Sequence, residues 1–184
     1  MEKYFVLTAV SLLLACPVFS QSAGQEKKLV VYFSKSGNTE TLANHVHSLV
    51  GGDKIKLEPA EPYPASYSDT VARYRLERDR EVRVPLRTGI ANMDTYDVVF
   101  LGYPIWGGTI PMVLVTFLES YDFTGKTIVP FCTSGGSGIS RSVTDIRRLV
   151  PGAAVLEGFH TSSGNASGTR NDAAAWLRRI NILD

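Results

Sequence analysis

One stretch of the sequence decides the fold: Leu29-Val30-Val31-Tyr32-Phe33-Ser34-Lys35-Ser36-Gly37-Asn38-Thr39-Glu40-Thr41. Its first five residues are continuously apolar, which is typical of a parallel strand covered on both faces. The polar residues that follow lead into a segment whose apolar residues have helical spacing. A strand is therefore predicted to end in this stretch and a helix to begin. Unpaired N–H groups, the helix dipole and nearby hydroxyls make such a turn suitable for a phosphate group.

The composition of this loop narrows the kind of phosphate. No Lys follows Gly37 as it does in the phosphate loop of nucleoside triphosphatases, and the glycines do not have the GxGxxG spacing of a dinucleotide site. A hydroxyl-rich loop without Lys or Arg after its glycine suits a monophosphate ester such as that of FMN. The candidate phosphate ligands are Ser34, Ser36, Gly37, Asn38, Thr39 and Thr41. A plain loop with a helix cap would have the same residue types.

Two further loops distinguish a phosphate site from a plain loop with a helix cap, because each also follows a predicted strand. Gly102-Tyr103-Pro104-Ile105-Trp106-Gly107-Gly108 comes after the apolar run 98–101. Thr133-Ser134-Gly135-Gly136-Ser137-Gly138 comes after the apolar run 128–132. Loops at the carboxyl ends of parallel strands meet where the strand order reverses, and ligands bind at that crevice.

Phosphate-type, aromatic and Gly/Ser-rich loops in that order resemble the flavodoxin family, from roughly Lys28 to the C-terminus. Flavodoxin is itself a well-known example of the crevice rule. Alternating strands and helices predict an α/β fold with a parallel, doubly wound sheet, whose fifth strand is expected over 154–159. The resemblance adds that the sheet is five-stranded with the order 2-1-3-4-5 and helices on both faces, and that the cofactor is FMN.

The resemblance also gives each loop a role. The first loop would hold the FMN phosphate, and Trp106 would stack on the flavin ring, the alternative being a core tryptophan. The peptides on either side of Gly107 could rotate and so respond to the redox state of the flavin. The third loop would donate backbone N–H groups to the pyrimidine edge. The remaining contacts expected from the second and third loops involve Tyr103, Pro104, Ile105, Thr133, Ser134, Gly135, Gly136 and Ser137.

Three functions follow from this assignment. The first is an FMN-binding electron carrier that exchanges electrons with a redox partner protein or a small acceptor. The second is an NAD(P)H-dependent FMN or quinone reductase, in which Tyr103 or His160 would contact substrate. It is favoured by the absence of an aromatic residue from the third loop, which leaves one flavin face open. The third is a flavin-binding module without turnover. The sequence shows no acid–base dyad, no nucleophile–base pair and no metal-ligand cluster, so the flavin would supply the chemistry.

The segment before the third predicted strand is rich in arginine. Tyr67, Val71 and Tyr74 share one face of a helix predicted between Ser66 and Arg80. The arginines from Arg73 to Arg87 could form an anion-binding patch, but the acidic residues among them favour a solvated helix face.

Composition limits the class of protein. The chain has 184 residues, 44% hydrophobic and 20% charged, which suits one globular domain. Its net charge of +1 gives no reason to expect nucleic acid as a partner, and it differs from the acidic balance usual in flavodoxins.

Residues 1–20 are predicted to be an export signal, followed by the flavodoxin-like domain at 28–184. Lys3 precedes an apolar stretch that is too short to span a bilayer. Leu13-Leu14-Ala15-Cys16 fits a lipoprotein signal, so the product would be periplasmic or anchored in the cell envelope through a lipid on Cys16. The other cysteine, Cys132, lies in an apolar run and is expected to be a buried thiol.

Overall fold

The computed structural model of the protein describes residues 26–184, so the predicted signal and Cys16 lie outside the described residues. Strands alternate with helices along the chain. In order they are β1 (Lys28–Tyr32), α1 (Asn38–Val50), β2 (Asp53–Lys56), α2 (Tyr67–Asp79), β3 (Val98–Pro104), α3 (Met112–Glu119), β4 (Thr127–Ser134), α4 (Ser140–Leu149), β5 (Ala154–Val155), β6 (Phe159–Ser162) and α5 (Arg170–Arg179). No helix within 26–184 is long and apolar enough to cross a membrane.

The strands form one parallel sheet in the order β2-β1-β3-β4-β5, with β6 also paired to β4. This confirms the predicted order. Successive residues of a strand face opposite sides, and β1 shows it: Val30 packs on the core side that includes Trp176 of α5, whereas Val31 packs on the side that includes Phe117 of α3. Helices therefore cover both faces of the sheet, as expected for a doubly wound fold.

The fifth strand differs from its prediction over 154–159. It is divided into β5 and β6, and Pro130 of β4 explains the interruption. The backbone N–H and carbonyl groups of even-numbered β4 residues point towards the fifth strand, since Leu156 N–H donates to the Ile128 carbonyl at 3.0 Å. Pro130 belongs to the same series and has no N–H to donate, so the ladder is broken between the two pieces. Gly158 lies against Pro130 there, where a Cβ would meet the Pro130 carbonyl oxygen at 3.1 Å.

Strands β3 and β4 run further than the sequence predicts and take in residues expected in loops. Tyr103 is part of β3, and its side chain is fully buried with the hydroxyl 2.9 Å from Ser142 Oγ. The prediction that the Tyr103 side chain contacts cofactor or substrate is therefore wrong, because the alternation of β3 turns it into the core. Thr133 and Ser134 likewise belong to β4, and both are buried.

Candidate functional site

The turn between β1 and α1 is shaped as an anion site. Gly37 precedes the helix with φ of 88°, a left-handed conformation that glycine adopts without steric cost. In the described chain, the N–H groups of Asn38, Thr39 and Glu40 have no hydrogen-bond acceptor. These are the unpaired donors of a helix N-terminus, and they make the turn attractive to a phosphate.

The hydroxyls of this turn divide into three kinds. Ser34 is 7% exposed, and its Oγ is buried without a hydrogen-bond partner. Thr39 is 1% exposed and already bonds to Thr133 Oγ1 at 2.9 Å. Thr41 donates to the Gly37 carbonyl at 3.1 Å, whereas Ser36 is exposed. Ser34 and Ser36 therefore have a hydroxyl proton available for a ligand. Thr41 donates its proton to the protein, and Thr39 keeps a proton for a ligand only when Thr133 is the donor of their shared hydrogen bond.

One carboxylate lies in the first turn of α1, where it would oppose a phosphate. Glu40 forms an ion pair with Lys56 at 2.9 Å and accepts a hydrogen bond from Tyr32 at 3.0 Å. The Lys56 ammonium, followed by the Tyr32 hydroxyl, lowers the pKa of Glu40, while burial and the carboxylate raise the pKa of Tyr32 to about 12. The Glu40 charge is thereby compensated by Lys56.

The second loop is a two-residue turn that presents Trp106. The N–H and carbonyl of Trp106 pair with those of Thr109 at 2.9 and 3.2 Å. Between them, Gly107 and Gly108 have φ of 57° and 85°, and positive φ at both positions is the requirement of a type I′ turn. A Cβ on Gly107 would also collide with the Tyr74 hydroxyl. Both the positive φ and the close approach of Tyr74 therefore require glycine at this position.

Trp106 is half-buried in an aromatic cluster. Its ring meets Phe33, Tyr63 and Tyr74 edge to face, with centroid distances of 5.5, 4.9 and 5.5 Å. Such edge contacts stabilise aromatic pairs and fix the ring plane. Trp106 also lines the large cavity described below. The indole is thus packed against the core and exposed to the crevice at the same time.

A buried ion pair supports this cluster from behind. Glu77 of α2 is 5% exposed; it accepts a hydrogen bond from Tyr63 at 2.6 Å and pairs with Arg73 at 2.7 Å. The Arg73 guanidinium also lies 4.4 Å from the Tyr63 ring centroid. Burial, followed by the Glu77 carboxylate, raises the pKa of Tyr63 far above its usual value, so its hydroxyl stays a donor.

The third loop is anchored through Ser134. Its Oγ donates to the Ser137 carbonyl, accepts from Gly136 N–H at 3.2 Å and lies 2.7 Å from His160 Nε2. A hydroxyl has one proton, so the proton between Ser134 and His160 resides on Nε2. Gly135, Gly136 and Ser137 are exposed beyond this anchor. His160 was not among the residues predicted to contact the cofactor. Its position beside Ser134 depends on the register of β6, which follows from the division of the fifth strand.

Two cavities lie around the first loop. The larger, about 400 Å³, touches loop 1 through Lys35, Ser36 and Thr39 and loop 2 through 104–107, and its remaining wall is helix α2. The smaller, about 210 Å³, includes Ser34 and Lys35 on its wall. Clefts of this size with apolar walls and a few polar groups are typical ligand sites. Pro104 and Ile105, which were predicted to contact the cofactor, line the larger cavity, whereas Asn38 and the third loop do not.

The wall formed by α2 was missed by the sequence analysis. Tyr67, Val71 and Tyr74 share a face as predicted, but that face lines the cavity, and Arg75 and Arg78 line it as well. Arg75 and Arg78 are both exposed, as expected for a solvated helix face, and they also form part of the cavity wall. The sequence feature that could have indicated this wall is the four-residue spacing of Tyr67 and Val71, with arginines on the same side of the helix.

The model of the flavodoxin family matches residues 27–180. The chain belongs to the flavodoxin family. This membership confirms the resemblance found in the sequence and supports FMN as the cofactor. Among curated proteins, none matches the chain significantly.

Solved structures agree with the assignment. A candidate flavoprotein from Bacteroides eggerthii DSM 20697 is 36% identical with a TM-score of 0.74, over 84% of this chain and 98% of that chain. A second, from Bacteroides uniformis ATCC 8492, is 32% identical with a TM-score of 0.75, over 83% and 98%. A flavoprotein in complex with FMN from Lactobacillus acidophilus NCFM is 19% identical with a TM-score of 0.65, over 79% and 99%, and shows the shared fold.

Proposed function

We propose that this flavodoxin-family protein binds FMN and transfers electrons through it. The observation that carries the proposal is the buried Ser34 hydroxyl without a partner, next to the unpaired amides of Asn38, Thr39 and Glu40. A buried polar group without a hydrogen bond is costly, and a phosphate oxygen on this loop would satisfy both kinds of donor.

The remaining residues fit the other parts of FMN. Trp106 offers an indole face next to the phosphate loop, held in place by its edge contacts to Phe33, Tyr63 and Tyr74. The exposed loop from Gly135 to Ser137 offers backbone N–H groups. FMN supplies one- and two-electron chemistry when it is bound, and the chain positions it and excludes water from one side.

The reductase remains a second candidate because of the cavity beside α2. A carrier needs only an exposed flavin edge, whereas a reductase needs room for a small substrate. The wall contributed by Tyr67, Val71 and Arg75 extends the cavity beyond the phosphate and aromatic loops. This feature favours a small-molecule partner over docking with a protein alone.

Two measurements on the purified protein test these proposals. Mass spectrometry of the released cofactor should give FMN, and FAD or no flavin after reconstitution would contradict the binding proposal. Steady oxidation of NADH or NADPH by the loaded protein would identify a reductase. A loaded protein that oxidises neither, yet passes electrons to a one-electron acceptor after chemical reduction, would be a carrier.

Export is a separate proposal that rests on residues 1–20. Fractionation of cells should place the protein in the periplasm or the envelope. Replacement Cys16→Ser distinguishes these, because it would release an envelope-bound product only if a lipid is attached at Cys16.

A further inference from the structure

Helix α2 presents a continuous face to the large cavity. The face consists of positions i, i+3, i+4, i+7, i+8 and i+11 of the helix, which are Tyr67, Thr70, Val71, Tyr74, Arg75 and Arg78. One end of α2 lies near the phosphate loop, because Lys35 Nζ donates to the Ala65 carbonyl at 3.2 Å. The second half of α2 lies at the aromatic loop, where the Tyr74 hydroxyl donates to the Trp106 carbonyl at 2.6 Å. The helix therefore runs along the crevice from the phosphate end to the aromatic end.

Arg78 of this face and Arg141 of α4 lie at the aromatic end of the cavity. A guanidinium nitrogen of Arg78 lies 3.0 Å from where a Cβ of Gly107 would stand, and one of Arg141 lies 3.9 Å from the equivalent point of Gly108. Arg78 pairs with Asp79 at 2.7 Å and Arg141 with Asp145 at 3.9 Å. Within residues 26–184 no carboxylate forms an ion pair with Arg75.

The position of these cations is not explained by FMN. The charge of FMN resides on its phosphate, which the first loop accounts for, whereas the oxidised ring that would meet Trp106 is neutral. Arg75 and Arg78 lie three residues apart on one helix face, close enough for two guanidinium groups to hold one anion. On the same face, Val71 is half-buried one turn before Arg75, and Tyr67, which is 84% exposed, lies one turn further towards the phosphate end.

We propose that the α2 face binds a planar aromatic anion, a small redox substrate of the acidic quinone type, next to the flavin. The inference rests on the proposed function, since the flavin would be what such a molecule meets. Arg75 and Arg78 bind the acidic group, and Tyr67 and Val71 contact the ring. Charge complementarity selects the anion over a neutral quinone, because a guanidinium without a carboxylate partner lies within reach.

Equilibrium dialysis of the oxidised, FMN-loaded protein tests this site. The probes are 1,4-naphthoquinone-2-sulfonate and the neutral 2-methyl-1,4-naphthoquinone, which share the ring system and differ in charge. Arg75→Gln and Arg78→Gln should each weaken the sulfonate by about fivefold, a modest loss because both charges are exposed to solvent. Tyr67→Ser should weaken both probes. Arg80→Gln is the matched control, since Arg80 follows the same helix but does not line the cavity.

The outcomes separate this site from the phosphate site. Selective loss of the sulfonate with unchanged FMN affinity supports the proposal. Unchanged sulfonate affinity in both arginine variants, or equal losses for the Arg80→Gln control, overturns it. Loss of FMN but not of riboflavin in the arginine variants also overturns it, because the arginines would then hold the phosphate. A wild-type chain that takes up no FMN contradicts the proposed function instead, and the flavin content is measured before any probe is added.

Discussion

The hydroxyl of Tyr74 donates a hydrogen bond of 2.6 Å to the main-chain carbonyl of Trp106, and this bond ties helix α2 to the aromatic loop. The bond orients the Trp106–Gly107 peptide, which the sequence resemblance identified as one of two peptides able to rotate beside a flavin. The same carbonyl also accepts from Thr109 N–H at 3.2 Å. With two donors on this carbonyl, the following peptide, Gly107–Gly108, is the freer of the two.

Tyr74→Phe removes this bond and keeps the ring. The expected loss in the free energy of unfolding is about 0.5–1 kcal/mol, at the low end for a hydrogen bond, because Thr109 still satisfies the carbonyl. Urea unfolding measures it. Tyr67→Phe is the matched control on the same helix, and its exposed hydroxyl should contribute nothing. Equal stability of the two variants would show that the bond does not hold the loop.

Glu77→Gln breaks the ion pair behind Trp106. Because Glu77 is buried, the change leaves the Arg73 cation with only the exposed Glu61 carboxylate nearby and weakens the bond from Tyr63. We expect a loss of about 2–3 kcal/mol, somewhat below that for a fully buried pair, since Arg73 is 22% exposed. Glu61→Gln is the comparison, because Glu61 is 87% exposed and lies 4.0 Å from Arg73. Its effect should stay below about 1 kcal/mol, and a similar effect in both variants would contradict the role given to Glu77.

Cys132 should be unreactive in the folded chain. Burial raises the pKa of its thiol to about 12, so little thiolate forms at pH 8. In Cys16→Ser protein, where Cys132 is the remaining thiol, a thiol reagent at pH 8 should react slowly without urea and rapidly with it. Rapid reaction in the folded state would contradict the burial of Cys132.

The same raised pKa links stability to pH. The folded thiol keeps its proton while the unfolded thiol ionises above about pH 8.5. Its contribution to stability is therefore complete below that pH and is lost as the pH rises towards 12. In Cys132→Ala, the free energy of unfolding should depend less steeply on pH over this window. An unchanged dependence would contradict the raised pKa of Cys132.

Local patterns in the sequence were enough to predict the parallel strands and the three loops, because apolar runs and glycine turns are local signals, whereas the order of the strands came from the family resemblance. The division of the fifth strand depends on Pro130 facing one particular neighbour, which requires the register of β4. The role of α2 was hidden for a similar reason: Tyr67 and Val71 look the same in sequence whether they face a core or a cavity. Likewise, the hydrogen bond between Thr39 and Thr133 joins residues 94 positions apart, so the sequence could not show how it constrains the Thr39 hydroxyl.

Trp106 should report flavin binding. Its fluorescence should be quenched when FMN is added to the apoprotein, and Trp106→Ala should remove that quenching. Trp176 is the internal control, because it is buried in α5, donates to the Glu157 carbonyl at 3.0 Å and stacks on Phe159. Quenching that survives in Trp106→Ala would place the flavin away from the aromatic loop. Half-buried packing predicts a moderate loss of stability for this variant, below the ~3–5 kcal/mol of a core tryptophan.

The most direct test of FMN binding at the first loop compares FMN with riboflavin, which lacks the phosphate, in wild-type protein and in Ser34→Ala. We predict that wild type binds FMN far more tightly than riboflavin. Ser34→Ala should weaken FMN by about 1.5–3 kcal/mol, the value of a charge-assisted hydrogen bond, and leave riboflavin unchanged. Apo stability should not fall, since the Ser34 hydroxyl has no partner to lose. Ser48→Ala, towards the far end of α1, should change neither affinity. Equal affinities of wild type for the two flavins, or equal losses of both in Ser34→Ala, would contradict a phosphate site at this loop.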